Sequence, residues 1–207
     1  DLVIVVAYGK ILPNKLLNLD KVLFINVHAS LLPKWRGAAP IQRAIMNLDN
    51  ETGVSIMKIV TELDAGPVLL QSKIKITKEI NYKELSGQMS ELGAKLILDT
   101  LKLIENKRAN FVEQNDSEAT YAKKIEKKET KINWNDDAEK IIAKINAFCP
   151  SPGCWFEINR NRIKIIKAKK VMSTGIPGTI LDDKLTIACS KNAIRILELK
   201  KEGKQKM

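Results

Sequence analysis

The only histidine of the chain, His28, stands two residues after Asn26, at the end of an apolar, β-branched run that begins at Val22. On an extended backbone, residues two apart point to the same face, so this spacing presents an amide and an imidazole side by side. An imidazole exchanges protons near neutral pH, and an amide beside it offers hydrogen-bond donors and an acceptor to a ligand. The same pair also fits a turn-capping Asn and an ordinary polar His, and spacing alone leaves both readings open. Residues 30–37 read as a polar loop, and Pro40 suits the first position of a helix running to about Leu48. A strand that ends in polar side chains, followed by a loop and a helix, is where open α/β sheets place ligands. Further on, residues 61–67 form a loop carrying Asp64, with Gly66 and Pro67 close behind.

The elements that must position these residues follow from the hydrophobic pattern. Residues 2–7 read as a buried parallel strand, 8–9 as a turn, and 11–13 as a lead into a short apolar helix through Leu19. Strands are predicted over 22–27 and 54–60, with two further short ones over 68–71 and 72–76. The clearest helix spans 82–105, where Leu85, Met89, Leu92, Leu96 and Leu103 recur at helical spacing. Strands and helices thus alternate as in an α/β layered sheet, giving a first domain over 1–107. Residues 108–127 are polar and charged and read as a linker.

The period changes in the second part, residues 128–207. Asn135-Asp136-Asp137 predicts a helix start, with a capping amide and two carboxylates near the positive end of the dipole. Ala138, Ile141, Ile142, Ile145 and Phe148 make its apolar face, and Pro150 ends it. A hairpin over 155–158 and 162–168 and strands over 178–181, 185–189 and 194–199 follow. Five short strands and one helix suggest a small OB-like β-barrel, an architecture that often binds nucleic acid. The basic residues from Lys200 to Met207 read as a frayed end.

The 207 residues carry a net charge of +11. Residues 1–115 hold 15 Lys and Arg against 12 Asp and Glu, a net of +3, and the remainder holds 20 against 12, a net of +8. That asymmetry fits either an anionic partner for the second part, most simply nucleic acid, or Lys-rich solvated faces. Cys149, Cys154 and Cys189 are odd in number and lack metal-ligand spacing, so they read as reduced cysteines of a cytoplasmic protein without a metal site. No apolar run is long enough to span a bilayer. The chain begins at Asp1 inside a strand-like run, so an upstream segment is expected.

Asn26-Val27-His28-Ala29-Ser30-Leu31-Leu32-Pro33 with Gly37 resembles the signature of the tetrahydrofolate-dependent formyltransferases. Glu51-Thr52-Gly53-Val54 and Leu63-Asp64-Ala65-Gly66 stand in the order and spacing of that family's second motif. The resemblance implies that Asn26, His28 and Asp64 are catalytic, on a partial Rossmann-like formyltransferase domain. It implies 10-formyltetrahydrofolate as formyl donor, with Ser30, Leu31, Leu32 and Pro33 forming part of the folate-binding wall. Arg36-Gly37-Ala38-Ala39-Pro40-Ile41-Gln42, Thr120-Tyr121-Ala122-Lys123-Lys124-Ile125, Ile132-Asn133-Trp134 and Pro177-Gly178-Thr179-Ile180 resemble the branch whose acceptor is initiator methionyl-tRNA. In that branch a basic carboxyl-terminal barrel holds the tRNA, no metal is used, and a monomer is expected. The resemblance covers the whole chain, and the family pattern extends both before Asp1 and beyond Met207. Lys123, Lys124, Lys127, Lys128, Lys164, Lys167, Lys169 and Lys170 are candidate phosphate contacts. The competing readings are a sugar-nucleotide formyltransferase with a related second domain and a catalytically silent RNA-binding protein.

Overall fold

In this computed structural model residues 1–201 are described, and the chain divides into two compact units. The first gathers residues 1–44, 50–76 and 85–124; the second gathers 45–49, 77–84 and the chain from 125 onward.

The sheet of the first unit has the order β1 (Leu2–Val6), β2 (Leu23–His28), β3 (Glu51–Lys58), β4 (Val68–Lys75). Only β1 and β2 are parallel; β3 pairs antiparallel with both β2 and β4, so the sheet is mixed. The two short strands expected over 68–76 are one, because β4 stays hydrogen-bonded to β3 along its length. A short helix α1 (Asn14–Leu17) joins β1 to β2, and α2 (Pro40–Met46) follows the loop after β2, with Pro40 at its first position. Helix α3 (Tyr82–Glu105) has the predicted span. Its buried stripe of Leu85, Met89, Gly93, Leu96 and Thr100 recurs at helical spacing, and Gly93 faces Val27 and Val54. Because side chains alternate along a strand, Ile25 and Val27 of β2 share the face toward α3, leaving Asn26 and His28 on the opposite face.

Gly53 in β3 lies against the loop after β2. A Cβ there would overlap the Ser72 carbonyl oxygen and lie 2.6 Å from a Leu31 methyl. The carbonyl belongs to a paired strand and cannot rotate away. Gly53→Ala is therefore expected to destabilise the protein by about 1–3 kcal/mol, the usual cost of overpacking, measured by denaturant unfolding.

The stretch read as a linker is folded onto the first unit as far as Lys124. Val112 exchanges backbone hydrogen bonds with Val68 at 2.8 and 2.9 Å. Arg36 bridges to Tyr121, with its N–H on the Thr120 carbonyl at 2.8 Å and its carbonyl accepting from Ala122 at 2.7 Å. The Arg43 guanidinium donates to the Lys123 carbonyl at 2.9 and 3.1 Å.

The second unit packs α4 (Ala138–Phe148) on a sheet of order β5 (Cys154–Ile158), β6 (Asn161–Val171), β8 (Ala193–Lys201), β7 (Thr186–Ala188). All its pairings are antiparallel, and Ile141, Ile145, Phe148, Ile165 and Ile194 are fully buried. The expected strand over 178–181 is present as one bridge, Ile180 to Ile187. At the opposite edge Lys131 bridges to Trp155. The cap of α4 is Asp137 rather than Asn135, and it caps without a side-chain bond. Its carboxylate accepts instead from the Ser190 hydroxyl at 2.9 Å. Lys200 and Lys201 continue β8 instead of fraying, because they pair with Lys164 and Ile163; the rest of that expected frayed end, from Glu202, lies outside the described residues.

One carboxylate organises the edge of this second sheet. Asp182 accepts from the Lys184 and Thr186 N–H groups, each at 3.0 Å, from the Thr186 hydroxyl at 2.8 Å and from Arg195 at 3.0 Å. The Thr186 N–H above all, then the Thr186 hydroxyl, the Lys184 N–H and the Arg195 guanidinium, hold its carboxyl below the ordinary value of 3.8 against the opposing effect of burial. A depressed folded value means that Asp182 contributes stability above its unfolded pKa and loses it as pH falls through the folded one. Acid unfolding followed by circular dichroism is therefore expected to show a smaller loss of stability below about pH 4 in Asp182→Asn than in the parent.

Burial pushes the Cys154 thiol up to about 12 and that of Cys189 to about 11. Both are therefore held as neutral thiols, and none of the three cysteines is in a disulfide.

Candidate active site

Asn26 and His28 leave β2 on one face, as their spacing predicts, and the antiparallel neighbour β3 places Met57 and Ser55 directly opposite them. His28 is 5% exposed. Its Nε2 lies 2.9 Å from the Trp35 carbonyl oxygen. A carbonyl only accepts, so Nε2 carries a proton. Nδ1 faces Oδ2 of Asp64 at 3.6 Å, just beyond hydrogen-bond distance. The half-buried Asn26 amide has no side-chain hydrogen bond among the described residues. Its donors are therefore free for an oxygen outside the chain.

Asp64 reaches this position through a turn in which its own φ is +49°. Oδ2 accepts from the Gly37 N–H at 2.8 Å. Gly37 has a φ of +116°, and a Cβ there would lie 2.9 Å from the Ala122 carbonyl oxygen, so no other residue type fits without displacing that backbone. The structure thus brings together all three residues of the expected catalytic set.

The expected folate wall is divided. Ser30 is fully buried, and its hydroxyl donates to the Lys34 carbonyl at 2.5 Å. Leu32 is 6% exposed; its N–H donates to the Ser55 hydroxyl, and its carbonyl accepts from Gln71 at 2.8 Å. The Ser55 hydroxyl in turn donates to the Ser30 carbonyl at 2.6 Å. Leu31 and Pro33 are partly exposed. Ser55 and Gln71 therefore pin the loop, a role their position inside strands had hidden from the sequence reading.

Arg36 is 3% exposed. Its guanidinium donates to Oε1 of Gln114 at 2.8 and 3.0 Å and to Asp116 at 2.7 Å. The Gln114 amide nitrogen donates to the Asp64 and Gly66 carbonyls at 2.9 and 2.7 Å. Gln114 lies in the stretch that reads as a linker, and no local pattern marks it.

In the second unit Trp155 and Lys164 stand opposite each other on β5 and β6, with Lys200 beyond Lys164 on β8. Arg162 lies 4.3 Å from the Trp155 ring centre and Lys131 5.4 Å from it. Lys128 and Lys170, two of the expected phosphate contacts, are paired with Glu126 and Glu139, each at 2.7 Å. No group of His, Cys, Asp and Glu among the described residues could hold a metal ion, and no described helix is long and apolar enough to cross a membrane.

The sequence profile of the formyl transferase family matches residues 1–101, and that of its carboxyl-terminal domain matches residues 124–207. These two matches and the site define the class: a formyltransferase domain followed by its partner domain. Methionyl-tRNA formyltransferase of Pelagibacter ubique is 50% identical over 99% of the chain, and that of Afipia carboxidovorans is 43% identical over 100% of it. The chain spans 66% and 68% of the length of these two relatives. A solved structure, HypX from Aquifex aeolicus in complex with tetrahydrofolic acid, superposes with a TM-score of 0.75 at 20% identity, over 100% of the chain and 37% of HypX. That likeness establishes the fold. The chain belongs to the methionyl-tRNA formyltransferase family, a family of enzymes.

Proposed function

We propose that the protein to which this chain belongs transfers the formyl group of 10-formyltetrahydrofolate to the α-amine of initiator methionyl-tRNA, with Asn26, His28 and Asp64 as its catalytic residues. The observation that carries this reading is the His28 ring, held through Nε2 by the Trp35 carbonyl with Nδ1 toward the Asp64 carboxylate, beside the uncommitted Asn26 amide. The identity to curated methionyl-tRNA formyltransferases supports the acceptor, and the tetrahydrofolate named for HypX supports the class of donor.

The neutral amine attacks the formyl carbon, forming a new carbon–nitrogen bond and a tetrahedral intermediate with a developing oxyanion. Asn26 donates to that oxyanion through its side-chain amide, a contribution that only the transition state receives in full. The amine must lose a proton, and the departing folate nitrogen must gain one as its bond to the formyl carbon breaks. His28 moves these protons, with Asp64 as the charge that orients the ring and accompanies its protonated form. Leu31 and Pro33 contact the folate while Ser30 and Leu32 hold the loop that presents them.

Residues 128–207 bind the tRNA, as an OB-like barrel, through the face bearing Trp155, Arg162, Lys164 and Lys200; residues 1–107 and 108–127 are the catalytic part and its connection. Trp155 offers a stacking surface, and the surrounding cations offer phosphate contacts. The protein acts as a cytoplasmic monomer. The deciding assay uses the full-length protein and compares labelled formyl transfer to methionyl-tRNA with transfer to an amino-sugar nucleotide. Transfer to the charged tRNA, with a KM that rises steeply with salt, is the expected result. Transfer to the sugar nucleotide alone would sink the reading.

A further inference from the structure

The strongest unassigned feature of the first unit is the side chain of Gln114. It makes four hydrogen bonds to groups from two distant segments. Its oxygen accepts twice from Arg36, the residue immediately before Gly37. Its nitrogen donates to the carbonyls of Asp64 and Gly66. The Gly37 N–H, in turn, donates to the Asp64 carboxylate. A closed circuit results, running from the Asp64 carbonyl through Gln114 and Arg36 to Gly37 and back to the Asp64 carboxylate.

We propose that Gln114 is a positioning residue for the formyl-transfer reaction, setting the Asp64 carboxylate against His28 by tying the Asp64 turn to the Arg36-Gly37 backbone. The inference rests on the reaction proposed above. Asp64 needs such support because a non-glycine residue at φ +49° is disfavoured unless its surroundings hold it there. Its carboxylate stands 3.6 Å from Nδ1, so a displacement of about 1 Å is enough to weaken the orienting charge. Arg36, 3% exposed, has no freedom to follow a partner elsewhere. A glutamine is the side chain that can accept from a guanidinium and donate to two carbonyls at once. Glutamate keeps the first function and sets an oxygen against both carbonyls.

Three variants of the full-length protein test this in formyl transfer to methionyl-tRNA: Gln114→Glu, Asp64→Asn and the double variant, with melting temperatures measured alongside. The expected result for Gln114→Glu is a kcat lowered about tenfold, with KM for both substrates within about twofold and a melting temperature within a few degrees of the parent. In the Asp64→Asn background the same change is expected to cost less than about twofold, because the group it positions is already gone. Gln114→Met, which keeps the bulk and removes every hydrogen bond, is expected to lose at least as much kcat. It carries the test if the glutamate variant melts early. Retention of kcat in both Gln114 variants would overturn the proposal, as would an undiminished tenfold loss in the Asp64→Asn background. If Asp64→Asn and His28→Ala themselves keep full kcat, the reaction assignment falls and the proposal with it. Collapse of those two beside intact Gln114 variants removes the proposal alone.

Discussion

In the full-length protein, His28→Ala and Asn26→Ala are each expected to lower kcat for formyl transfer by about 10²–10³ while KM for the folate and the tRNA changes little. The magnitude for Asn26 is that of removing one preorganised donor from a developing oxyanion. The half-buried amide makes no side-chain bond among the described residues, so alanine breaks no internal hydrogen bond and the loss falls on the transition state. His28 differs, since its Nε2 is bonded to the Trp35 carbonyl. His28→Gln is the useful companion because it can keep a donor near that carbonyl without supplying a titrating ring. Steady-state kinetics with a thermal melt on each variant separates the two effects. Near-parental kcat in either alanine variant would refute the assigned role.

Asp64→Asn is expected to lower kcat by about 10²–10³, comparable with loss of the ring itself, since His28 and Asp64 act as one unit. The change removes the negative charge 3.6 Å from Nδ1 while leaving an oxygen that can still accept from Gly37. The local fold is therefore retained, and the two halves of the prediction can be read apart: a melting temperature close to the parent and a kcat that collapses. The side chain is 17% exposed, so bulk solvent only partly screens the lost charge. A coupled double variant, His28→Ala with Asp64→Asn, should lose hardly more than His28→Ala alone. Fully additive losses would show that the carboxylate acts on something other than the ring.

How far a feature shows in the sequence follows the range of the forces behind it. The shared face of Asn26 and His28 is a two-residue property and was legible because alternation along a strand is local. The span of α3 was legible because a buried stripe at helical spacing is a continuous signal. The α4 cap at Asp137 escapes local pattern because that carboxylate answers to Ser190, a partner more than fifty residues away. Lys200 and Lys201 looked like a frayed end because pairing with β6, which orders them, leaves no mark on their own composition. In the same way the polar run containing Gln114 read as a linker, although its polarity is spent on Arg36 and on the Asp64 turn.

The available chemistry is legible in the residues alone: one imidazole, one amide beside it and one carboxylate in a glycine-bearing turn, within motifs that resemble a formyltransferase family. Strand and helix periods, set by each residue's immediate neighbours, came with it. The folded arrangement sets how that carboxylate reaches the ring, through a Gly37 N–H and a glutamine fifty residues downstream of Asp64. It also decided that Ser30 and Leu32 face inward while Leu31 and Pro33 keep partial exposure. The physical reason is that a buried polar group must find a partner wherever the folded chain offers one, and those partners are chosen by proximity in space, which no local spacing encodes.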